Sequence, residues 1–420
     1  DGVKWIGRFL SRVQITHRYY LAYGRTICSI VNMIERDIFK HIEPVLQSPE
    51  AIIITGMRRV GKTTLLHFIE QYLKSDNTLF LDLENPLNRK YFEETDYERI
   101  VVQLRFLGLD TSRRAYVFLD EVQSVLALPS VVKYLSDHYP IKFFLSGSSS
   151  FYLKNHFTES LAGRKYIFEL LPLNFSEYMR LKEPSLDLSA IKRPVSSAVF
   201  ARVDRVFEEY LRYGGFPGVA LKKTSAEKEL ALEDIFSSYF QLEVLQLGEF
   251  RKPNLVRDLI LLLMERVGSK IDVQKLSTEL GIARETTMRY LDFLEETYFI
   301  SRIRPFSRNR DAEIRAAQKV YVCDTGMLHK FAHSNPGSLF ENAVYNALRS
   351  HGKVQYYQRK SGVEIDFILD TTTAYEVKLS ADARDVAHVR MLAAKIGISQ
   401  SVVVSRTYRD LMDIMYAWML

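Results

Sequence analysis

The chain has 420 residues, 47% apolar and 26% charged, with a net charge of +6. That balance excludes wholesale disorder, leaves room for two to four compact units, and permits nucleic acid as a partner without requiring it. Only Cys28 and Cys323 occur, which excludes a disulfide framework and points to a reducing cytoplasm.

Residues 1–32 are rich in Arg and Tyr, carry a single acid, Asp1, and read as an N-terminal extension. From Met33, "MIERDIFKHIEPVL" opens a regular helical pattern. Five short apolar runs then alternate with helical stretches: "AIII" (51–54), "LFLDL" (79–83), "YVFLD" (116–120), "KFFLS" (142–146) and "YIFEL" (166–170). Apolar strands separated by helices predict an α/β fold with a parallel sheet covered on both faces. The longest apolar stretches, such as "LILLLM" at 259–264, are too short to cross a bilayer, so no membrane partner is expected.

The turn after the first run reads Gly56-Met57-Arg58-Arg59-Val60-Gly61-Lys62-Thr63-Thr64. It has the spacing G-x-x-x-x-G-K-[ST] between an apolar strand and an amphipathic helix, the context a phosphate-binding loop needs. Glycines let backbone N–H groups turn inward around phosphate oxygens, and the helix start presents its positive end to the anion. Lys62 is expected to reach the β- and γ-phosphates of ATP, and Thr63 to offer its hydroxyl to Mg²⁺. Arg58 and Arg59 add positive potential or bind carboxylates of the next strand.

The third run ends in Asp120-Glu121. Asp120 at a strand end suits Mg²⁺ binding through water, and Glu121 suits a general base that polarises the attacking water. Hydrolysis of ATP is the expected chemistry. "LSGSSS" at 145–150 ends the fourth run. There Ser146 or Ser148 either contacts the γ-phosphate or the water, or caps the next helix. Arg164, just before the fifth run, either senses the γ-phosphate, in cis or from a neighbouring copy in a homo-oligomer, or is an exposed arginine.

After residue 176 the strand signal stops until 319. Residues 272–307 scan as helix, turn at Gly281, helix and Arg-rich hairpin, with Leu276, Leu280, Ile282, Met288, Leu291 and Leu294 at core spacing. Arg284, Thr286, Thr287 and Arg289 would face outward from the second helix, and Arg302, Arg304, Arg308 and Arg310 would form a basic wing. Such a unit either enters DNA or docks against another domain or protein.

The late hairpin "VEIDFILDTTTAYEVK" (363–378) sets Glu364 and Asp366 on one strand and Glu376 and Lys378 on the next. Alternation puts each pair on one strand face. Glu341, in "LFENAV", has helical spacing that aims it at the same spot. These are either cross-strand charge pairs or a Mg²⁺ site in which Asp366 and Glu376 bind the ion and Lys378 stabilises phosphate charge. His329 and His333, four apart with Cys323 upstream, are read as surface residues, not a zinc site.

Taken in order, "TGMRRVGKTTLL", "FLDEVQ", "FLSGSSS", "LAGR", "LPLNFSEY", "YGGFP" and "LFENAV…EIDFI…YEVK" resemble an archaeal and bacterial family of AAA-type ATPases with a characteristic C-terminal domain of unknown function. The likeness runs from about Met33 almost to the end. It implies a P-loop core in which the strand bearing "LSGSSS" lies between those bearing the two nucleotide motifs. It further implies a helical lid, a winged helix and a restriction-endonuclease-like α/β domain of the PD-(D/E)xK type, to which Glu341, Asp366, Glu376 and Lys378 correspond. The usual proline-aspartate pair is replaced here by valine-glutamate-isoleucine before Asp366. The expected division is 33–175 P-loop core, 176–245 lid, 246–312 winged helix and 313–420 nuclease-like domain. The leading expectation is an ATPase acting on DNA; the alternative is an ATP-gated module that docks DNA or a protein through an inactive nuclease-like domain.

Overall fold

The computed structural model describes residues 34–148 and 161–420, apart from 192, 249, 251, 334, 360 and 412. The expected extension at 1–32 lies outside them.

The first sheet holds β1 (Ala51–Thr55), β2 (Thr78–Asp82), β3 (Ala115–Asp120), β4 (Ile141–Gly147) and β5 (Lys165–Glu169) in the order β2-β3-β4-β1-β5. Every pairing in it is parallel. β4, which carries Ser146, lies between β1 and β3, the insertion that the resemblance implied. Period-two alternation divides the strand residues between two cores. Ile53, Val117, Leu119, Phe143 and Leu145 pack under helices Tyr97–Phe106 and Leu128–His138. Ile52, Ile54, Phe118 and Phe144 face the other way, onto Leu65, Leu66 and Ile69 of helix Lys62–Leu73. β5 departs from the expected cover on both faces. As the edge strand it leaves Tyr166 and Ile167 exposed.

The second core does not stop at this sheet. It continues through helices Ser197–Tyr213, Ser225–Tyr239 and Pro253–Met264 to Tyr321, Tyr345 and Phe367 near the C-terminus. Helices Val273–Leu280 and Arg284–Glu296 follow, separated by the left-handed Gly281. β6 (Ile300–Ile303) pairs antiparallel with β7 (Lys319–Val322). The Arg-rich stretch is therefore not a simple hairpin, because helix Arg310–Arg315 lies between the two strands. The expected boundary at 312/313 falls inside that helix.

A second five-stranded sheet closes the chain: β8 (Val354–Gln358), β9 (Glu364–Leu369), β10 (Thr373–Lys378), β11 (Gln400–Ser405) and β12 (Ile414–Tyr416), in the order β12-β11-β10-β9-β8. β8–β9–β10 is antiparallel; helix Ala383–Ile396 then crosses over to the parallel β11. Among the described residues no helix is long and apolar enough to cross a membrane.

Candidate functional site

The phosphate loop joins β1 to helix Lys62–Leu73 through residues whose backbones are left-handed at Arg59 and Gly61. Gly56 is obligatory for space as well: its φ is +147°, and a Cβ there would lie 2.2 Å from the Leu170 carbonyl oxygen. Met57 and Val60 bury their side chains in the core, so only their backbones are available to a ligand. Thr63 and Thr64 are exposed at the helix start. Lys62 Nζ donates to the carbonyls of Gly56 and Met57, 3.0 Å each.

Opposite the loop, Thr63 Oγ1 donates to Asp120 Oδ2 at 2.6 Å, and Ser146 donates to the other carboxylate oxygen. Ser148 Oγ donates to Glu121 Oε2 at 2.8 Å, and Gln123 Nε2 also bonds that carboxylate. The two serines thus orient the two acids. Their alternative as caps falls partly on residues 149–160, outside the described residues. Glu121 is held at φ +53°, a strained backbone for a non-glycine residue at a strand end.

Electrostatics separates the groups. Burial raises the Asp120 carboxyl, against the pull of hydrogen bonds from Ser146 and Thr63. Burial works on Glu121 too, but the Lys62 ammonium and the Gln123 bond outweigh it and hold that carboxyl below its ordinary value. The Lys62 ammonium is itself lowered by burial, with Glu121 and Asp120 opposing.

Arg58 and Arg59 do not reach the next strand. Arg58 Nε pairs with Glu243 at 3.0 Å, and Arg59 pairs with Asp234 and bonds Ser238 Oγ. The helical region after the sheet supplies these acids, because it folds back over the loop. Burial pushes the Glu243 carboxyl up to about 7 against the attraction of Arg58. Arg164 is displaced further. Parallel pairing sets Lys165 level with Ala51 at the start of β1, whereas the loop follows Thr55 at its end. Arg164 therefore stands at the far edge of the sheet, paired with Asp137 at 3.1 Å, and cannot sense the γ-phosphate of its own chain.

Several loop contacts carried no sequence signal. Arg36 donates to Val60 O at 2.9 Å and to Leu171 O at 2.7 Å while pairing with the buried Glu177. Tyr298 Oη donates to Thr55 Oγ1 at 2.6 Å, and Cys323 Sγ lies 3.6 Å from Met57 Sδ. Asp324 accepts from the N–H of Gly215 in the "YGGFP" turn at 2.7 Å. Burial raises its carboxyl to about 6.

The second constellation lies on the late sheet. Register places Tyr375 opposite Phe367 and so carries Glu376 to the level of Asp366. Asp366 Oδ2 accepts from Val377 N at 2.7 Å, and Lys378 Nζ pairs with Glu376 at 2.6 Å. Glu341, on helix Pro336–Leu348, accepts from Tyr321 Oη at 2.7 Å. The residue missed from sequence is Lys319. Buried at the start of β7, it bonds Glu364 and stands 3.6 Å from Glu341. Burial pushes the Glu341 and Glu376 carboxyls up to about 7, and the Asp366 charge adds to both rises. Asp366 is itself raised by burial. Among the described residues no three His, Cys, Asp or Glu side chains are close enough together to hold a metal ion. Cys323 lies against Met57, and His333 pairs instead with Glu265.

Of the residues expected to read DNA, Arg284, Arg289 and Arg304 are exposed and Thr286 is half-buried. Thr287 does not face outward; it is fully buried and shares a hydrogen bond of 2.9 Å with Ser277 on the preceding helix. Arg302 is withdrawn as well, its side chain 9% exposed between Glu295 and Asp292. Arg308 donates to Ile396 O at 3.2 Å, and Arg310 pairs with Glu313 at 3.1 Å.

A loop of this geometry beside a strand-end Asp-Glu pair, on this strand order, defines a P-loop nucleotide-binding class. Residues 48–179 match the family described as AAA domain, and the first part of the chain is an AAA-type P-loop domain. Residues 204–337 and 336–417 match two families described as Domain of unknown function, DUF8612 and DUF4143. Among curated proteins the chain is similar to an uncharacterized protein of Methanocaldococcus jannaschii, 27% identical over 343 residues, 79% of this chain and 75% of that one. An uncharacterized protein of Haemophilus influenzae is 25% identical over 330 residues, 75% of this chain and 78% of that one. Among solved structures, the Walker-type ATPase of Pyrococcus abyssi aligns at TM-score 0.43 and 15% identity, covering 71% of this chain and 96% of that one. The Aeropyrum pernix ORC1 protein in complex with DNA aligns at 0.33 and 12% identity, with 76% and 94% covered.

Proposed function

We infer that the protein is a Mg²⁺-dependent ATPase that acts on DNA through its C-terminal half. The observation carrying the first part is the Thr63–Asp120 hydrogen bond beside an oriented Glu121. These groups fit Mg²⁺ and a triphosphate. Asp120 and Thr63 already meet, and Gln123 Oε1 and Glu243 Oε2 are buried without partners at the edge of the loop. Thr63 and Asp120 would hold the ion, which when bound neutralises charge on the β- and γ-phosphate oxygens. Lys62 would exchange two loop carbonyls for phosphate oxygens. Glu121, kept ionised by Lys62, Gln123 and Ser148, accepts the proton of the attacking water.

The late cluster supports the second part. Among the described residues, the cations paired with Glu341, Glu364 and Glu376 are Lys319 and Lys378, and Asp366 lies in the same cluster, so acids outnumber cations there. Glu376 Oε2 is buried without a partner. One divalent cation on Asp366 and Glu376 matches both the charge and the orphan atom. Such an ion would supply Lewis-acid activation of a phosphodiester, and Lys378 would stabilise the developing charge, as in a PD-(D/E)xK-type domain.

One observation favours a second reading: the Lys319 ammonium already occupies the space between Glu364 and Glu341. A domain neutralised from within would bind without cutting, as an ATP-gated docking module.

The test is phosphate release and DNA cleavage by wild type, Lys62→Ala and Asp366→Ala in Mg²⁺ or Mn²⁺. Lys62→Ala is expected to abolish ATP turnover and Asp366→Ala to abolish cleavage. Undiminished turnover in the first removes the ATPase assignment. Absence of cleavage by wild type on linear, nicked and branched DNA leaves the docking module.

A further inference from the structure

Between helix Arg284–Glu296 and helix Arg310–Arg315 lies a cavity of about 600 Å³. Its rim carries Lys270, Arg284, Arg304 and Arg315, all exposed. Among the described residues none of the four has a carboxylate within ion-pair distance, whereas neighbouring Arg302 and Arg310 are both paired. The single acid on the rim, Asp272, is engaged in capping helix Val273–Leu280, accepting from Lys275 N at 3.0 Å. The floor is apolar: Ile271, Met288, Leu291 and Ile314, the last 53% exposed. Four such exposed cations, set around an apolar trough, make a positive groove suited to an anionic chain.

One end of this trough, at Lys270, adjoins Lys319, the buried cation of the carboxylate cluster. Lys270 is bridged to Lys319 through the backbone. Both ammonium groups lie over the Tyr356 ring, 5.8 Å and 5.5 Å from its centroid, and Lys319 bonds Glu364. The path from the trough to the acids thus runs through Lys270, Tyr356 and Lys319.

We propose that this trough binds single-stranded nucleic acid, its backbone on the four rim cations and its bases against the apolar floor, and delivers the strand to the carboxylate cluster. The proposal rests on the reading of the chain as acting on DNA, and names the form of DNA. The exposed start of helix Arg284–Glu296 is not a free element that could enter a duplex major groove about 12 Å wide. Helix Arg310–Arg315 and residues 316–318 stand across the cavity from it. A single strand needs no such freedom: it needs a positive groove and surfaces for bases.

The test uses the full chain and a fluorescent oligothymidine, with a mixed-sequence duplex of equal length, by anisotropy over a salt series. The single strand is expected to bind at least about tenfold tighter than the duplex, with a log–log salt slope near −3 for four phosphate contacts. Lys270→Glu with Arg315→Glu is expected to weaken it by at least about tenfold and to flatten the slope. Arg289→Glu, on the same helix but not on the trough, tests the duplex alternative, and Lys223→Glu, an exposed cation that does not line the trough, stays within about twofold. Near-UV circular dichroism identical to wild type excludes misfolding of these surface variants. Unchanged binding by the double variant overturns the proposal, as does duplex binding that depends on Arg289, or a trough that takes poly-glutamate and no oligothymidine. Cleavage by the same proteins separates the two readings. If wild type cuts a strand and the double variant cuts it equally, the trough assignment fails and the function stands. If wild type binds the strand through the trough and never cuts, the cleavage reading fails and the trough stands.

Discussion

Lys319→Met tests whether the late carboxylates are held together by an internal cation. The Lys319 side chain is 5% exposed and meets two acids. Removing one partner of a buried ion pair costs about 3–5 kcal/mol, because the charge left behind has no solvent. The loss must depend on pH. Glu341 and Glu376 carry carboxyls raised from 4.5 to about 7. The folded state therefore keeps protons that the unfolded state releases between those values. Each carboxyl contributes nothing against stability below 4.5, and its ionisation costs about 3 kcal/mol once pH passes the folded value. Lys319 pulls Glu341 down, so its loss widens that gap. The denaturant midpoint of Lys319→Met is expected to fall well below wild type at pH 8 and to approach it near pH 5. Mg²⁺ should raise the variant's midpoint more than that of wild type, since a divalent ion can take the vacated place. A deficit equal at both pH values, or below about 1 kcal/mol at pH 8, refutes the reasoning.

Arg58→Ala leaves Glu243 buried beside the loop without its cation and is expected to destabilise by about 3 kcal/mol. Adding Glu243→Gln should recover part of this, and strictly additive effects in denaturation would show that the pair is not coupled. Gly56→Ala forces a Cβ to 2.2 Å from Leu170 O; nucleotide affinity by calorimetry is expected to drop about tenfold or more, with stability reduced by about 2–3 kcal/mol. Arg164→Ala is expected to leave ATP turnover within about twofold in dilute protein, since its partner is Asp137 at the far edge of the sheet. A large loss that grows with protein concentration would place it in a neighbouring subunit's site.

The phosphate loop and its sheet were legible because their signals are local: a fixed spacing of glycines and a lysine, then apolar runs of strand length. What escaped was set by distant chain. Arg58 looked toward β2 from sequence, but tertiary folding brought Glu243 to it, 185 residues on. For Arg164 the sequence left a γ-phosphate contact and an exposed arginine open, because its position depends on the register of β5 against β1, which composition does not encode. On the second unit, helical periodicity found the core positions, yet Thr287 and Arg302 were read as outward-facing. A hydroxyl with a neighbouring hydroxyl to bond, and a guanidinium with two acids in reach, bury readily, and neither partner is adjacent in sequence. Lys319 gave no sign at all: it opens an ordinary strand, and its meaning comes from Glu341 and Glu364, which reach it from a distant helix and strand.

Thr55, Met57 and Gly215 are touched by Tyr298, Cys323 and Asp324, residues supplied from the last third of the polypeptide. During synthesis, then, the nucleotide cleft emerges from the ribosome long before the segments that wall it from behind. A fragment ending after the first sheet would present raw apolar surface there, a target for chaperones. Maturation of the pocket therefore waits for residues 298–324, so ATP binding would report on whether a nascent molecule has extended past them.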